Sequence, residues 1–378
     1  MKIDVHHRCE DYASYRAARV KSLFNVDSGA NFTLAAELPV DDGDWRIGVI
    51  AGPSGSGKTS LGRALWGAGA LYEPAWPRDA PIIDAIAPAG RFDDVAAALA
   101  SVGLGSVPAW LRPCAVLSNG ERFRANLARL IAEAPARAVL DEFSSVVDRQ
   151  IARVGAGAFA KAWRRAGGQA VLLSCHYDIL DWLNPDWVLD TATGQFERGR
   201  LRCRPRLGLR IQQTDWRYWP LFEPHHYLKL PHMIAATCYV AAIGGAPVAH
   251  LAVSTRPGLV EARACRLVVM PEWQGAGVGL RFLNAVCEAW RRGKNRYRRP
   301  MPTLFHTSHP GLAAALRRDP QWTQVSACLC GSNKARSAAS MRASRQRRGA
   351  PPDSGSGFGG HFRAVQGFRY LGEGAPCG

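Results

Sequence analysis

Gly52-Pro-Ser-Gly-Ser-Gly57-Lys58-Thr59 decides the reading of the first half of the chain. Its spacing is G-x-x-x-x-G-K-[ST], the pattern in which glycines let successive backbone N–H groups turn toward a phosphate. The apolar run Trp45–Ile50 before it predicts a strand, and Ser60-Leu-Gly-Arg-Ala-Leu-Trp66 after it predicts a helix. That context puts the loop at a helix N-terminus, where the helix dipole also favours an anion. Gly52, Ser54, Gly55, Gly57 and Ser60 then supply the cradle, Lys58 reaches the β- and γ-phosphates, and the Thr59 hydroxyl is placed to ligate Mg²⁺.

Working outward, Ala138-Val-Leu-Asp141-Glu142 is a short apolar strand ending in two carboxylates. Asp141 is positioned to hold Mg²⁺ and Glu142 to polarise an attacking water. An acidic pair after a strand is, by itself, as readily a solvated turn. Here it follows Leu117-Ser118-Asn119-Gly120-Glu121 and precedes Ser145-Val-Val-Asp148 and Leu172-Leu-Ser-Cys-His176.

In this order the motifs resemble those of the ABC-type ATPases: phosphate loop, signature, acidic strand, D-loop and switch histidine, over about residues 20–200. The resemblance implies ATP with Mg²⁺ as cofactors and Glu142 as the catalytic carboxylate. It also implies that His176 touches the γ-phosphate. Ser118 and Gly120 would contact the nucleotide of a second subunit, so the chain would act as a homodimer through this domain. Two departures stand out. Asn119 replaces the first glycine of the signature pair, and no glutamine occurs between Thr59 and Leu117. The missing glutamine argues against a transporter subunit, where that residue senses the membrane partner.

Composition bounds the rest. The chain has 378 residues, enough for two cores. No run approaches the roughly 18 apolar residues that span a bilayer, and the N-terminus has no apolar segment that would serve as a signal peptide. The ten cysteines follow no repeating frame, as expected of reduced thiols in a cytoplasmic protein with no membrane partner. Cys328 and Cys330 with His306 and His309 match no standard zinc spacing.

Charge is divided unevenly within the net +17. Residues 197–378 carry 28 Lys and Arg against 9 Asp and Glu, whereas residues 1–196 are nearly balanced at 20 against 22. Clusters lie at Arg198 to Arg210, Arg291 to Arg299 and Lys334 to Arg348. A solvated surface would mix signs; one-signed, arginine-rich clusters suit a polyanion, with nucleic acid the partner to consider.

In this second half, Ala235–Ile243 and Ala246–Ser254 flank Gly244-Gly245 and predict a β-hairpin. A strand over Ala262–Met270 leads into Gln274-Gly-Ala-Gly277-Val-Gly279, then a helix whose apolar residues recur at helical spacing. Another strand over Pro302–Ser308 and a short helix after Pro310 follow.

Strand, [QR]-x-x-G-x-[GA], helix is similar to the acyl-CoA-binding motif of the GNAT N-acetyltransferases. The resemblance covers roughly residues 220–325 and implies that Gln274, Gly277 and Gly279 hold the pyrophosphate of acetyl-CoA or another acyl-CoA. It implies too that open backbone groups near Val268 and Met270 pair with the pantetheine arm. Glu261 is a candidate base and equally a candidate exposed loop residue. His225-His226-Tyr227 are candidates for the acceptor pocket, and no tyrosine stands where the family's thiolate proton donor does.

The expected fold is therefore α/β, an N-terminal P-loop ATPase domain of the ABC type followed by an α+β GNAT-like acetyltransferase domain. The expected boundaries are 1–196 for the ATPase, 197–215 for a basic linker and 216–331 for the acetyltransferase. Residues 332–360 form a basic, low-complexity segment, and 361–372 a returning strand of the second domain. The combination resembles a sparse group of prokaryotic fusion proteins without an established substrate. The expected activity is ATP hydrolysis with acyl-CoA-dependent N-acetyl transfer. The alternative is an ATP-driven binding module with a catalytically inactive GNAT-like domain.

Overall fold

The computed structural model describes residues 2–8, 10–24, 31–38, 40, 44–199, 205–226, 232–233, 235–255, 260–328 and 365–372. Its contacts divide the chain into two compact units, and each is interrupted in sequence. Met1–Ala75 joins Arg129–Pro205, and Trp76–Ala128 joins Arg206–Gly378.

The first unit begins with β1 (Lys2–Arg8), α1 (Tyr15–Phe24) and β2 (Asn31–Glu37), then β3 (Ile47–Ala51) and α2 (Lys58–Trp66). The chain then passes through a helical arm, α3 (Ile82–Ala85), α4 (Phe92–Ser101), α5 (Val107–Trp110) and α6 (Asn119–Glu133). It returns as β4 (Arg137–Leu140), α7 (Arg149–Ala166), β5 (Gln169–Ser174), α8 (Leu180–Leu183), β6 (Trp187–Asp190) and β7 (Phe196–Arg198). The sheet order is β4-β5-β3-β6-β7, parallel except for β7. Every residue of β3 is buried, which is why it reads as a continuous apolar run rather than an alternation. Trp45, Leu61, Leu65, Val139, Leu173 and Trp187 fill one face, and α7 lays Phe159 and Trp163 on the other. β3, β4 and β5 all end at the same edge, so the loops that follow them converge there.

In the second unit the sheet is built from β8 (Arg210–Thr214), β9 (Thr237–Ile243), β10 (Ala246–Thr255), β11 (Ala262–Val269), β12 (Thr303–Thr307), β13 (Trp322–Cys328) and β14 (Val365–Tyr370). Besides those of the arm, the helices of this unit are α9 (Trp219–Phe222), α10 (Val278–Arg291) and α11 (Pro310–Arg318). The order is β13-β14-β12-β11-β10-β9-β8. α10 buries Phe282, Leu283, Val286 and Trp290 against one face together with α11, while Trp219 and Phe222 cover the other.

Arg210–Thr214, inside the stretch the sequence suggests as a linker, is a strand paired in register with β9. Its run Arg-Ile-Gln-Gln-Thr looks unstructured in sequence because this edge strand buries little. The returning strand begins at Val365; Phe362 to Ala364, Tyr227, Cys330, residues 200–204 and the basic segment 332–360 lie outside the described residues. Among the described residues no group of three or more metal-ligating side chains occurs, and no helix is long and apolar enough to cross a membrane.

Candidate functional site

The phosphate loop lies between β3 and α2, where the sequence places it. Gly57 caps α2 with φ 81°, a left-handed angle that a side chain would strain, and this turn presents the loop's N–H groups at the helix end. The loop is pinned at its start by Gly52 N donating to Ser174 O at 3.2 Å, and at its crest by Ser56 Oγ against Thr191 Oγ1 at 2.6 Å. Lys58 Nζ donates to Gly52 O at 2.9 Å and Pro53 O at 2.6 Å, so the ammonium lies over the loop it is expected to serve.

Asp141 follows β4, and its Oδ1 accepts from Thr59 Oγ1 at 3.2 Å and from Glu142 N at 2.8 Å. A hydroxyl beside a carboxylate at a phosphate loop is a donor set that fits Mg²⁺. Glu142 has φ 47° and Ser144 φ 66°, two side-chain-bearing residues in left-handed conformations within one turn. Such angles cost about 1–3 kcal/mol each and persist where neighbours enforce them. Here Phe143 N donates to Leu173 O at 2.8 Å, locking the turn to β5. His176, after β5, has a pKa lowered by burial and by the charge of Arg149. Arg149 itself pairs with Asp178, as does Arg153 at 2.9 Å. Burial opposes the Asp178 carboxylate, yet these two guanidinium groups hold its pKa below the usual range. Asp148 caps α7 by accepting from Gln150 N at 2.8 Å.

In the second unit, Ser118 opens α6 with a reciprocal cap. Its hydroxyl donates to Glu121 Oε2 at 2.9 Å, Glu121 N donates to Ser118 Oγ at 3.3 Å, and Ser118 N donates to Glu121 Oε2 at 3.0 Å. This is the S-x-x-E capping box, which the sequence carries in plain view. The signature motif is thus also a helix start.

β11 and β12 are parallel neighbours only from Ala262 to Ala264 and from Thr303 to Phe305; beyond that they diverge. On its other side β11 carries a bulge, where Arg266 and Leu267 face the single residue Leu251 and Arg266 takes φ 55°. Past the strand, Gly277 caps α10 with φ 79° and leaves open space at its α-carbon. Diverging strands, a bulge and an exposed helix N-terminus together fit an extended thioester ligand with a pyrophosphate at one end.

The backbone of β11 turns differently from the sequence expectation. Met270 N donates to Val248 O at 2.9 Å, so it is spent on β10; Val268, two residues earlier, turns its backbone to the same side by strand alternation. The edge facing the divergence is that of Leu267 and Val269, and Val269 O accepts from Gln274 Nε2 at 2.9 Å. Glu261 lies at the opposite end of β11, pairing with Arg263 at 3.4 Å. Five residues at ~3.3 Å each put it roughly 16 Å along the strand from the bulge.

Sequence reading passed over His250, wholly buried on β10. Its Nδ1 lies 3.5 Å from Arg266 O, and its Nε2 has no hydrogen-bond partner among the described residues. An isolated histidine in an apolar strand carries no signal of such a position. His226 is buried and stands edge-on to Trp219 at 5.5 Å, while His225 is exposed.

Comparison with known proteins agrees with both halves. Residues 208–307 match the family model described as Acetyltransferase (GNAT) family. The chain is similar to the cytochrome c biogenesis ATP-binding export protein CcmA of Rhodospirillum rubrum, 34% identical over 161 residues, covering 35% of this chain and 68% of that protein. Among solved structures it is similar to the cobalt transport ATP-binding protein cbiO-2, ST1066, at 19% identity and TM-score 0.35, covering 45% of this chain and 74% of that one. The dimeric ATP-binding cassette MJ0796 bound to ADP and Pi matches at 12% identity and TM-score 0.34, covering 45% and 89%. The chain belongs to the ATP-binding cassette ATPases, and it carries at residues 208–307 a domain of the GNAT acetyltransferase family.

Proposed function

We propose that the protein is a homodimeric, Mg²⁺-dependent ATPase whose second unit transfers an acyl group from acetyl-CoA or another acyl-CoA to an amine. The observation that carries the ATPase half is the Thr59 hydroxyl and Asp141 carboxylate, 3.2 Å apart beside the phosphate loop. Thr59 and Asp141 would hold Mg²⁺, Lys58 and the loop amides the phosphates, and Glu142 the attacking water. His176, kept neutral near pH 7 by its lowered pKa, would face the γ-phosphate as a hydrogen-bonding group rather than a charge. Ser118 and Gly120 would serve the nucleotide of the other subunit.

In the acyltransferase half, the backbone of the β11 bulge would polarise the thioester carbonyl. The acceptor nitrogen attacks that carbon, the C–S bond breaks, the thiolate takes a proton and the nitrogen loses one. The exposed side chains of Lys294, Arg296, Arg298 and Arg299 support a polyanionic acceptor, an exocyclic amine of nucleic acid. Arg291 and Arg292 contribute less, since both pair with Glu288.

Two measurements test this reading. Mixed Lys58→Ala and Ser118→Arg subunits should regain ATPase activity that neither has alone, because one complete site forms per mixed dimer; no recovery would refute the shared site. Labelled acetyl-CoA incubated with RNA, DNA and protein from a lysate should mark nucleic acid. Label confined to protein, or to small molecules, would refute the acceptor.

A further inference from the structure

The helical arm of the ATPase and the acyltransferase sheet belong to one compact unit, and they meet at the diverging ends of β11 and β12. Gln274 follows β11 and His309 follows β12, so these residues stand on the two lips of the opening. Gly105, in the arm between α4 and α5, touches both. Its N–H donates to Gln274 Oε1 at 3.0 Å, and its carbonyl is 3.2 Å from His309 Nε2. The tautomer of His309 follows from its other nitrogen, which accepts from Leu312 N at 3.2 Å as the cap of α11. Nε2 therefore carries the proton and donates to Gly105.

Around this bridge the fit is close. A β-carbon on Gly103 would stand 2.0 Å from Gln274 O, so backbone lies directly on backbone, and Trp110 meets His309 edge-on at 5.5 Å. Arg124, on α6, reaches across with Nη1 donating to Gly103 O and to Pro271 O, both at 2.7 Å. Pro271 lies three residues before Gln274. Arg124 is 3% exposed, yet its Nε and Nη2 make no hydrogen bond among the described residues. Burial pushes its pKa down to about 10 despite Glu272 and Glu121. A half-satisfied buried guanidinium is costly. The arm is held here by an arrangement that gives something back on release.

We infer that residues Gly103 to Gly105 form a clasp across the mouth of the acyl-CoA cleft, released when ATP engages the signature end of α6. This rests on the function proposed above. The amide of Gln274, the motif's own side chain, is engaged at both ends: its oxygen accepts from Gly105 N and its nitrogen donates to Val269 O. Acyl-CoA at that loop and Gly105 on it compete. Ser118 and Arg124 are six residues apart on one helical rod, about 9 Å along its axis. A shift of the signature therefore reaches Arg124 with little loss. Arg124 and Gln274 act as positioning residues that connect the ATP state to the acyl-CoA loop.

Calorimetric titration of the full-length protein with coenzyme A tests this. The Glu142→Gln variant with ATP and Mg²⁺ should bind coenzyme A about tenfold more tightly than without nucleotide, and coenzyme A should tighten ATP by the same factor. Gly103→Ala and Arg124→Met should bind coenzyme A tightly without ATP and lose the ATP effect. Thermal unfolding reports whether each variant is folded, and either one suffices. Measurable but equal affinities throughout would overturn the clasp and leave acyl-CoA binding intact. An absence of coenzyme A binding in every protein would overturn the acyltransferase reading, and the clasp with it.

Discussion

Mild acid should weaken the second unit through His250. Its imidazole is 0% exposed and ringed by Trp216 at 5.8 Å, Trp219 at 5.1 Å and Phe222 at 5.7 Å. Burial pushes its pKa from 6.5 down to about 4; the contact with Arg266 O opposes this and the charge of His226 adds to it. The unfolded chain takes up a proton near pH 6.5, whereas the folded protein resists until about 4, so between those values the unfolded state holds more protons. Stability consequently falls as pH falls through that window. The gap of roughly 2.5 units, at about 1.4 kcal/mol each, amounts to ~3 kcal/mol below pH 4, with ~2 kcal/mol already lost at pH 5. Urea unfolding of wild type and His250→Gln at pH 7.5 and 5.0 isolates this contribution, because the other histidines are common to both proteins. The wild type should lose about 2 kcal/mol more than the variant. Equal losses, or an imidazole resonance titrating near its ordinary value, would refute the reasoning.

Other expectations follow from single contacts. Asp148→Ala removes the cap of α7 and should cost about 1 kcal/mol, read as a lowered thermal midpoint. Gly48→Ala would drive a β-carbon to 2.0 Å from the buried Trp187 ring and should cost about 1–3 kcal/mol by urea unfolding. Gly277→Val forces a branched residue into a left-handed angle at the start of α10; retention on immobilised coenzyme A should disappear while circular dichroism is unchanged. Nucleic-acid retention carried by the four exposed cations Lys294, Arg296, Arg298 and Arg299 should fall by roughly a hundredfold between 50 and 200 mM salt.

What could be read in the sequence was what local chemistry dictates. The phosphate loop, the Gly244-Gly245 hairpin and the turn into α10 each demand angles or periods that few residues satisfy, and all three lie where their residues predict. The bulge at Arg266 was invisible, because nothing about an arginine announces a left-handed angle. β8 was hidden by its own polarity, an edge strand whose exposed residues resemble a linker. One residue along β11 separates Val268 and Met270, turned toward β10, from Leu267 and Val269, turned to the other edge, a difference that no apolar run reveals. The docking of the arm left no trace, for it is carried by the carbonyls of Gly103, Gly105 and Pro271 and by the N–H of Gly105.

Because both units are interrupted in sequence, the chain cannot be finished in the order it is made. The arm leaves the ribosome by residue 128, while its resting place on Pro271 and Gln274 is about 150 residues away and the closing strand ends at Tyr370. At ~5–20 residues per second, the arm waits roughly ten to fifty seconds for its partner. During that time Ala100, Gly103 and Trp110 are without their later neighbours Gly311, Gln274 and His309. A nascent chain of this design depends on being held apart from its neighbours while it waits. A stop codon at 205 would leave the arm permanently without the Pro271 and Gln274 surface on which it docks.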